Sequence, residues 1–443
     1  MRSFFNRTLL LFVLLLLNFC SSPNGGNDFL PLLATMFSSP VEDPYIEPDC
    51  VLSSDPLGHK NTDPLKILAN FGDRIFIIGE TSDNLGGKNP NGYTMPFVMK
   101  FSNTATCRDW ITILVDKPGT GGQIKSAGVD MFGNTFILGI SNGNVGGETC
   151  TTSCRFLTKL DLGGDFVWTK FLSFAPSEIQ VNSDGYVFLV GETSTTLNGQ
   201  VPSGSSDAFL IKYDTDGNLL STTLLGASGK RTRADRLTLD SSGNIYFSGI
   251  TYGSLGGQTT PGTSGTVFIA KYDSNIAFQW SRNFALTVNQ YIPTGMTTDP
   301  SGNVYLGGNR DGAGFVDGIS VPGTMNTYVA QYDPSGAKQW TKAVGYNNTN
   351  VRQAGLAFVS NQVYTYGTVS GNGFPVSATG LSDVFFTSYD TSGTHTGTSR
   401  VGYENKYTYA RSIYALTTGS LYYSFAIQDS KTLNIVGKTA FPY

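Results

Sequence analysis

The residues best suited to hold a metal ion form a short acidic loop, Asp214-Thr215-Asp216-Gly217-Asn218. The side-chain oxygens of Asp214, Asp216 and Asn218 stand at alternate positions and could converge on one Ca²⁺ ion. The loop lacks the downstream glutamate of an EF-hand, and hydrogen bonds within an ordinary turn explain such an aspartate equally well. Calcium therefore stays an alternative to a structural turn, and the sequence predicts no other metal site or cofactor.

Candidate catalytic residues are few. Glu80 and Glu192 occupy matching places in two Gly-Glu-Thr segments, and paired carboxylates can act as acid and base. Other repeats carry apolar or neutral residues at the same place, which favours a structural role. The chain has two histidines, His59 and His395, and shows no Ser-His-Asp set and no phosphate-binding glycine loop. We therefore predict no catalytic residues.

The cysteines predict an oxidising compartment. Apart from Cys20, the chain contains Cys50, Cys107, Cys150 and Cys154, an even number that is typical of disulfides in exported proteins. Cys150 and Cys154 share one loop, Cys-Thr-Thr-Ser-Cys, and are predicted to pair. Cys50 and Cys107 lie one repeat apart, too far for a bond if they stand at equivalent positions. Either they pair through loops, the interpretation we adopt, or both stay free.

The N-terminus reads as an export signal. Arg2 and Arg7 precede an apolar run at residues 8–17 that is too short to span a bilayer, so residues 1–19 are predicted to be a signal peptide. Residues 17–20, Leu-Asn-Phe-Cys, resemble the lipobox of bacterial lipoproteins. Phe19 departs from the usual small residue, as in the looser boxes of spirochaetal lipoproteins. The resemblance implies a lipid on Cys20 and an anchor in the cell envelope, at the outer membrane. The alternative is an ordinary signal peptide followed by a chance cysteine.

Residues 20–48 are rich in Pro, Ser, Gly and Asn and are predicted to be a flexible linker after the lipid. Its apolar centre either packs on the following domain or dips into the lipid interface. The formal net charge of −4 and the charged fraction of 14% argue against a nucleic-acid partner, which requires a basic surface. The 53 glycines and the aromatic content of 12% favour an all-β fold with tight turns.

The strongest feature is an aromatic residue that recurs at intervals of 52–60 residues, by subtraction of residue numbers. Its seven copies are Phe76, Phe136, Phe188, Tyr246, Tyr305, Tyr364 and Tyr422. Around Tyr246 the pattern predicts four short strands joined by hairpins, which is one propeller blade. Residues 49–443 are therefore predicted to form a seven-bladed β-propeller of four-stranded antiparallel blades.

The seventh unit is one strand short at the C-terminus. An unpaired strand edge is avoided in folded proteins. We therefore expect the segment near residues 49–52 to supply the missing strand, so that the N- and C-terminal segments pair and close the ring. The four tryptophans fall on predicted fourth strands and are interpreted as packing between sheets.

The repeat resembles the bacterial SBBP-type β-propeller repeat family, in leptospire-like lipoproteins. The resemblance rests on Asp240, Gly243, Asn244, Tyr246, Gly249, Thr251, Lys271, Tyr272, Asp273 and Trp280. It covers nearly all of the chain after the linker. It implies the propeller architecture and a surface or secreted location, and leaves the activity open.

Two classes of function fit this sequence. The first is a monomeric cell-envelope lipoprotein whose propeller binds a protein, glycan or envelope ligand through its loops. The alternative is a propeller enzyme, a quinoprotein-like oxidoreductase or a lyase, with its site at the mouth of the central channel. A charged cluster with shifted pKa values at one end of the channel would favour the enzyme, and a neutral or plugged channel would favour binding.

Overall fold

The computed structural model describes residues 62–70, 74–82, 85, 93–101, 108–115, 120–258, 265–284, 291–415, 421–427 and 430–437. All of them belong to the unit Cys50–Tyr443. The signal peptide, the linker, Cys20, Cys50 and Cys107 lie outside the described residues. In the part of the chain that is described, no helix has the length and apolar character needed to cross a membrane.

The described residues form strands and turns and contain no α-helix. The strands fall into seven sequential sets, here called sheet groups 1 to 7. Group 1 comprises β1 (Thr62–Ala69), β2 (Ile75–Thr81), β3 (Met95–Phe101) and β4 (Arg108–Ile113). Group 2 comprises β5 (Gly122–Val129), β6 (Thr135–Ser141), β7 (Cys154–Leu160) and β8 (Phe166–Leu172). Group 3 comprises β9 (Ala175–Val181), β10 (Val187–Thr193), β11 (Asp207–Tyr213) and β12 (Leu219–Leu225). Group 4 comprises β13 (Thr232–Leu239), β14 (Ile245–Thr251), β15 (Thr266–Tyr272) and β16 (Phe278–Phe284).

Group 5 comprises β17 (Tyr291–Thr298), β18 (Val304–Asp311), β21 (Met325–Tyr332) and β22 (Lys338–Val344), with a small hairpin of β19 (Gly314–Val316) and β20 (Ile319–Val321) between its second and third strands. Group 6 comprises β23 (Thr349–Val359), β24 (Gln362–Gly371), β25 (Asp383–Asp390) and β26 (His395–Val401). Group 7 comprises β27 (Thr408–Ala415), β28 (Leu421–Ile427) and β29 (Ser430–Gly437).

Within each group, strands adjacent in sequence pair antiparallel. Groups 5 and 6 are joined into one eight-stranded sheet by a single parallel pairing of Met325 with Asn350. The prediction of repeated four-stranded antiparallel sheets is therefore confirmed for groups 1 to 4, and groups 5 and 6 show the same order within their joint sheet. Group 7 has three described strands, and residues 49–52 lie outside the described part, so the closing strand stays a prediction.

A β-bulge in the first strand explains the glycine three residues after the recurrent aromatic in groups 1 to 6; in group 7 Phe425 stands opposite the bulge. In group 4 the bulge falls between Ala234 and Arg236, and Ala234 pairs with Gly249. A Cβ atom on Gly249 would lie 1.9 Å from the carbonyl oxygen of Arg233, so only glycine fits. The equivalent glycines of the other groups face the same bulge: Gly79, Gly139, Gly191, Gly308 and Gly367.

The four tryptophans lie on the fourth strands of groups 1, 2, 4 and 5, and each donates a hydrogen bond to the following group. Trp280 packs on Tyr246 of its own group, with ring centroids 6.1 Å apart. Its Nε1 donates to the carbonyl oxygen of Pro334 in the next group at 3.0 Å. The equivalent bonds run from Trp110 to Leu162, from Trp168 to Thr215 and from Trp340 to Thr391. Because each indole contacts the turn before the following fourth strand, one motif repeats the same junction along the chain.

The last group also packs on the first. Tyr422 of group 7 belongs to the same hydrophobic cluster as residues of group 1. The hydroxyl of Tyr414 donates to the carbonyl oxygen of Ala69 at 2.8 Å. The guanidinium of Arg411 donates to both carboxylate oxygens of Asp63, at 2.8 and 3.1 Å. Residues about 345 positions apart in sequence are thereby held together.

Candidate functional site

A cavity of about 450 Å³ is lined by residues of the first strand of every sheet group: β1, β5, β9, β13, β17, β23 and β27. Its volume lies in the range that accommodates a small organic ligand. Since the recurrent aromatics and tryptophans pack between sheets, the chemistry of this cavity depends on the side chains that the first strands contribute.

One position in each first strand defines a layer of this cavity. It is the residue directly after the bulge. In groups 1 to 6 it pairs with the residue that precedes the recurrent glycine of the second strand, and in group 7 it pairs with the residue that precedes Phe425. We call these seven residues the cavity layer: Lys66, Ser126, Glu178, Arg236, Gly295, Gly355 and Ser412. Three neighbours in this layer can be charged, and the other members are small. A structurally repeated position thus carries residues that do not repeat.

Lys66 and Glu178 form a loose ion pair across the layer. The Nζ atom of Lys66 lies 4.0 Å from Oε1 of Glu178 and donates to Oγ of Ser126 at 3.1 Å. The other carboxylate oxygen of Glu178 accepts the backbone N–H of Leu237 at 2.8 Å. Burial lowers the pKa of Lys66; the charge of Glu178 opposes this shift and that of Arg236 adds to it. Burial in the layer thus disfavours the charged form of Lys66, and the charge of Glu178 offsets this effect only in part.

Arg236 supplies the second positive charge. Its Nη1 donates to the carbonyl oxygen of Asp235 at 2.8 Å, and no described residue accepts a hydrogen bond from its Nε or Nη2. The carboxylate of Asp235 pairs with Arg233 at 3.2 Å. Burial raises the pKa of Asp235, while the nearby arginines lower it. Glu178 is the one carboxylate among the described lining residues, and within the cavity layer it faces two cations, Lys66 and Arg236. The lining also includes Arg411, which is paired with Asp63, and the exposed Lys125.

Sequence reasoning missed Lys66, Glu178 and Arg236. Alignment of the units on the recurrent glycine of their second strands would have placed all three residues in one column, the column directly after the bulge. The signal was available as variation, because that column changes chemical type between units while the column after it is apolar in every unit: Ile67, Ala127, Ile179, Leu237, Met296, Leu356 and Ile413. Charged residues therefore do gather, although inside the cavity and not at one end of a channel, and burial lowers the pKa of Lys66 among them. The feature that was expected to favour an enzyme is met only in part.

Glu80 and Glu192 do not meet, and neither lines the cavity. Oε1 of Glu80 accepts the N–H of Ile124, in the bulge region of the next group, at 2.8 Å. Burial raises the pKa of Glu80, and that hydrogen bond works against the shift. Glu192 is held by Arg231 through two bonds of 2.7 Å, and this contact lowers its pKa. Both glutamates therefore connect neighbouring sheet groups.

The acidic loop at Asp214 is a docking turn. Oδ1 of Asp214 accepts the N–H groups of Asp216 at 3.0 Å and Asn218 at 2.7 Å, and Asn218 Nδ2 donates to Oδ2 at 2.9 Å. These bonds hold the pKa of Asp214 below its usual value, the bond from Asn218 being the largest cause. The carbonyl oxygen of Thr215 accepts from Trp168 of the preceding group at 3.2 Å.

The same aspartate turn recurs at Asp130, Asp161, Asp240, Asp273, Asp299, Asp333 and Asp390. Among the described residues, no group of three or more His, Cys, Asp or Glu side chains is arranged to hold a metal ion. The turn chemistry therefore accounts for the loop, and calcium binding stays a prediction for experiment.

Cys150 and Cys154 are bonded to each other, with their Cα atoms 6.0 Å apart. Cys150 is buried, and its partner stands at the start of β7. The bond closes the loop between β6 and β7. The suggested pair of Cys50 and Cys107, and the lipid on Cys20, lie outside the described residues.

Exposed aromatic rings gather near the start of β27. This end of the sheets, here called the loop end, carries the connections from second to third strands and from one group to the next, opposite the aspartate turns. The rings of Tyr407 and Tyr409 lie almost parallel, at 7° and with centroids 6.3 Å apart. Their exposed fractions are 39% and 38%, and Tyr403 and Leu381 nearby are 42% and 51% exposed. We call these four residues the tyrosine platform.

The chain is thus an all-β protein of repeated four-stranded antiparallel sheets with a lined central cavity. No protein-family model matches it. A segment is 29% identical over 168 residues to the regulatory protein FlaEY of Caulobacter vibrioides, covering 35% of this chain. The match spans only 16% of the length of FlaEY.

Several solved structures share part of the topology. The β-propeller domain of the Trilobed protease from Pyrococcus furiosus gives a TM-score of 0.48 at 9% identity, covering 87% of this chain and 97% of that one. A PL25 ulvan lyase gives 0.46 at 10% identity, covering 86% and 94%. The acylaminoacyl peptidase of Pyrococcus horikoshii gives 0.45 at 10% identity, covering 84% and 50%. Likenesses at this level carry no argument about activity.

Proposed function

We propose that this protein is a lipid-anchored binding protein of the cell envelope, whose sheet groups are the blades of a closed seven-bladed β-propeller. The ring is supported by the cavity, to which all seven first strands contribute, and by the bonds from Arg411 to Asp63 that join the last group to the first. In this proposal the lipid on Cys20 attaches the chain to the outer membrane. The loop end then recognises the ligand.

The tyrosine platform is the observation that carries the binding function. Part of the aspartate-turn end of the sheets is occupied by contacts between neighbours, because four of the eight described aspartate turns, those at Asp161, Asp214, Asp333 and Asp390, accept a bond from a tryptophan of the preceding group. At the loop end, by contrast, Tyr407 and Tyr409 expose two parallel ring faces. A tyrosine ring offers a flat apolar face with a hydroxyl at its tip. This suits a sugar ring, which has an apolar face and a rim of hydroxyls, so we propose a glycan as the ligand.

Glycan-array binding of the full mature chain tests this proposal. The double variant Tyr407→Ala with Tyr409→Ala should lose binding by about tenfold or more, since exposed aromatic anchors carry much of the energy of such contacts. Tyr252→Ala is the matched control, because Tyr252 is 39% exposed in a different loop. It should bind like the wild type. Retention of no glycan by the wild type, or equal binding by the double variant, would refute the glycan platform.

An enzyme is the second candidate, and the cavity layer is the observation that favours it. Lys66 has a lowered pKa and a carboxylate neighbour, Glu178, as a proton-transferring pair could require. A quinone cofactor fits less well, because all four tryptophans stand on fourth strands and the described aromatic residues of the cavity are Phe358 and Tyr414. Release of an unsaturated product from a uronate-containing polysaccharide, followed by ultraviolet absorbance, would support a lyase; no turnover by a chain that binds the same polysaccharide would exclude it.

A further inference from the structure

We propose that the central cavity binds a small hydroxylated anion, one that carries a single carboxylate or phosphate group, between Lys66 and Arg236. This site is separate from the tyrosine platform and does not depend on it. Three features of the cavity layer carry the inference: its free donors, its charge balance and its uneven side-chain size.

The free donors belong to Arg236. Its Nη1 is used by the carbonyl oxygen of Asp235, whereas no described residue accepts from Nε or Nη2. These two N–H groups point in parallel from one edge of a guanidinium, the geometry that binds carboxylate and phosphate oxygens in pairs. A donor edge of this kind in a lined cavity is satisfied by water or by an anionic ligand. The anion would accept hydrogen bonds from Nε and Nη2 of Arg236, which no described residue uses.

The charge balance calls for one negative charge. Lys66 and Arg236 are opposed by Glu178 alone in the cavity layer, so the layer has one positive charge in excess when Lys66 is protonated. Glu178 compensates Lys66 only weakly, because their charged atoms are 4.0 Å apart and its other oxygen is held by the N–H of Leu237. A bound carboxylate would neutralise the layer, a phosphate group would more than neutralise it, and either would favour the protonated form of Lys66, whose pKa burial lowers. Lys66 and Arg236 therefore form a charge pair that lacks its counterion.

The side chains of the cavity layer also differ in length, being long in the charged half and short in the other. Gly295, Gly355 and Ser412 stand across from the charged half, and a Cβ on Gly355 would meet only Ile413, at 3.3 Å. The charged half therefore faces the part of the cavity with the shortest side chains. A volume of about 450 Å³ holds a ligand of monosaccharide size beside these residues.

We expect hydroxyl groups on the ligand because two side chains of the cavity layer, Glu178 and Ser126, can form hydrogen bonds with them. Oε1 of Glu178 has a lysine at 4.0 Å and can accept a hydroxyl proton, and Oγ of Ser126 can share one. A purely apolar carboxylate would leave Oε1 of Glu178 with no contact closer than the lysine at 4.0 Å and Oγ of Ser126 with the bond from Lys66 alone, whereas a sugar acid or sugar phosphate can add a hydrogen bond to each.

Isothermal titration of the full mature chain with D-glucuronate, inorganic phosphate and neutral D-glucose tests the site. We expect binding of glucuronate or phosphate and none of glucose, with affinity falling as the pH rises through the lowered pKa of Lys66. Arg236→Met should weaken the binding about tenfold or more. Arg231→Met, in the same sheet group but paired with Glu192 outside the cavity, should change the affinity less than about twofold.

Lys66→Met provides a second variant if Arg236→Met does not fold, and it should weaken the anion in the same direction. Binding of phosphate without glucuronate would still support the anion site, since both share the oxyanion that Arg236 recognises. The proposal is overturned if neither anion binds at about 10 mM, a concentration far above what a built site needs. It is equally overturned if Arg236→Met and Lys66→Met bind like the wild type. Glycan-array binding by the same variants keeps this outcome separate from failure of the tyrosine platform.

Discussion

Gly336→Ala measures how strongly one sheet group is docked on the next. Gly336 has a φ of +82° in the aspartate turn of group 5, and a Cβ there would lie 2.7 Å from Cδ2 of Trp280 in group 4. No real Cβ contact is that short, so the turn would have to move away from the indole. That movement would break the bond from Trp280 Nε1 to the carbonyl oxygen of Pro334 and the bond from Arg282 Nε to the carbonyl oxygen of Gly336, at 3.0 and 2.9 Å.

The expected magnitude follows from these parts. A positive φ costs alanine about 1–2 kcal/mol relative to glycine. Loss of the indole bond adds about 1 kcal/mol and loss of the charged arginine bond about 1.5 kcal/mol. We therefore expect Gly336→Ala to lower the free energy of unfolding by about 3.5–4.5 kcal/mol.

Gly243→Ala is the matched control. Gly243 has nearly the same φ, +77°, but its Cβ would find Ser274 at an ordinary 3.4 Å. Urea unfolding followed by circular dichroism should give a loss of only about 1–2 kcal/mol for this variant. In a Trp280→Ala background the clash is absent, so Gly336→Ala should then cost no more than Gly243→Ala does. Equal losses for Gly336→Ala and Gly243→Ala in the wild-type background would refute the docking of turn on tryptophan.

Three further predictions concern the ends of the chain and the cavity. Asp63→Arg and Arg411→Asp should each destabilise the chain by about 1 kcal/mol, and the double variant should recover most of the loss; additive losses in urea unfolding would contradict the contact between groups 1 and 7. Burial lowers the pKa of Lys66 in the folded chain, so the unfolded chain binds more protons between that pKa and the usual value near 10.4. The stability of the wild type relative to Lys66→Met should therefore rise with pH in this window. A pH-independent difference in the free energy of unfolding would show that the pKa of Lys66 is not lowered. Radioactive fatty acid should label the wild type and not Cys20→Ala, and equal labelling of both would exclude Cys20 as the lipid site.

The sheets were predictable because their signals are local and repeated. The Asp-x-x-Gly-Asn turns, which occur four times, the alternating strands, and the glycine opposite six of the seven bulges are short-range requirements that the sequence repeats from unit to unit. Asp214 allowed two interpretations, since an acidic turn that docks on Trp168 resembles the start of a calcium loop when it is read alone. Its structural role becomes visible only when the neighbouring sheet is present.

The cavity layer was not predictable at the same level. Glu178 lies two repeats after Lys66 and Arg236 lies one repeat after Glu178, and nothing in their local sequence indicates that they share one cavity. Their meeting depends on seven first strands sharing one register, which the bulges set and which no short segment encodes. The tyrosine platform is hidden for a similar reason, because the exposure of Tyr407 and Tyr409 is a property of the assembled loop end.

The central claim about the cavity is that repeated residues build the sheets and that the non-repeating residues Lys66 and Arg236 bind a small anion. Two lysine-to-methionine variants test it most directly when unfolding and glucuronate binding are measured on both. Lys271 is a repeated lysine, whose Nζ donates to the carbonyl oxygen of Pro334 at 3.1 Å and lies 5.3 Å from the ring centre of Tyr246. Lys271→Met should lose about 1 kcal/mol of stability and keep the wild-type affinity, whereas Lys66→Met should lose no stability at neutral pH and lose about tenfold in affinity. Loss of affinity in Lys271→Met together with unchanged affinity in Lys66→Met would contradict the account.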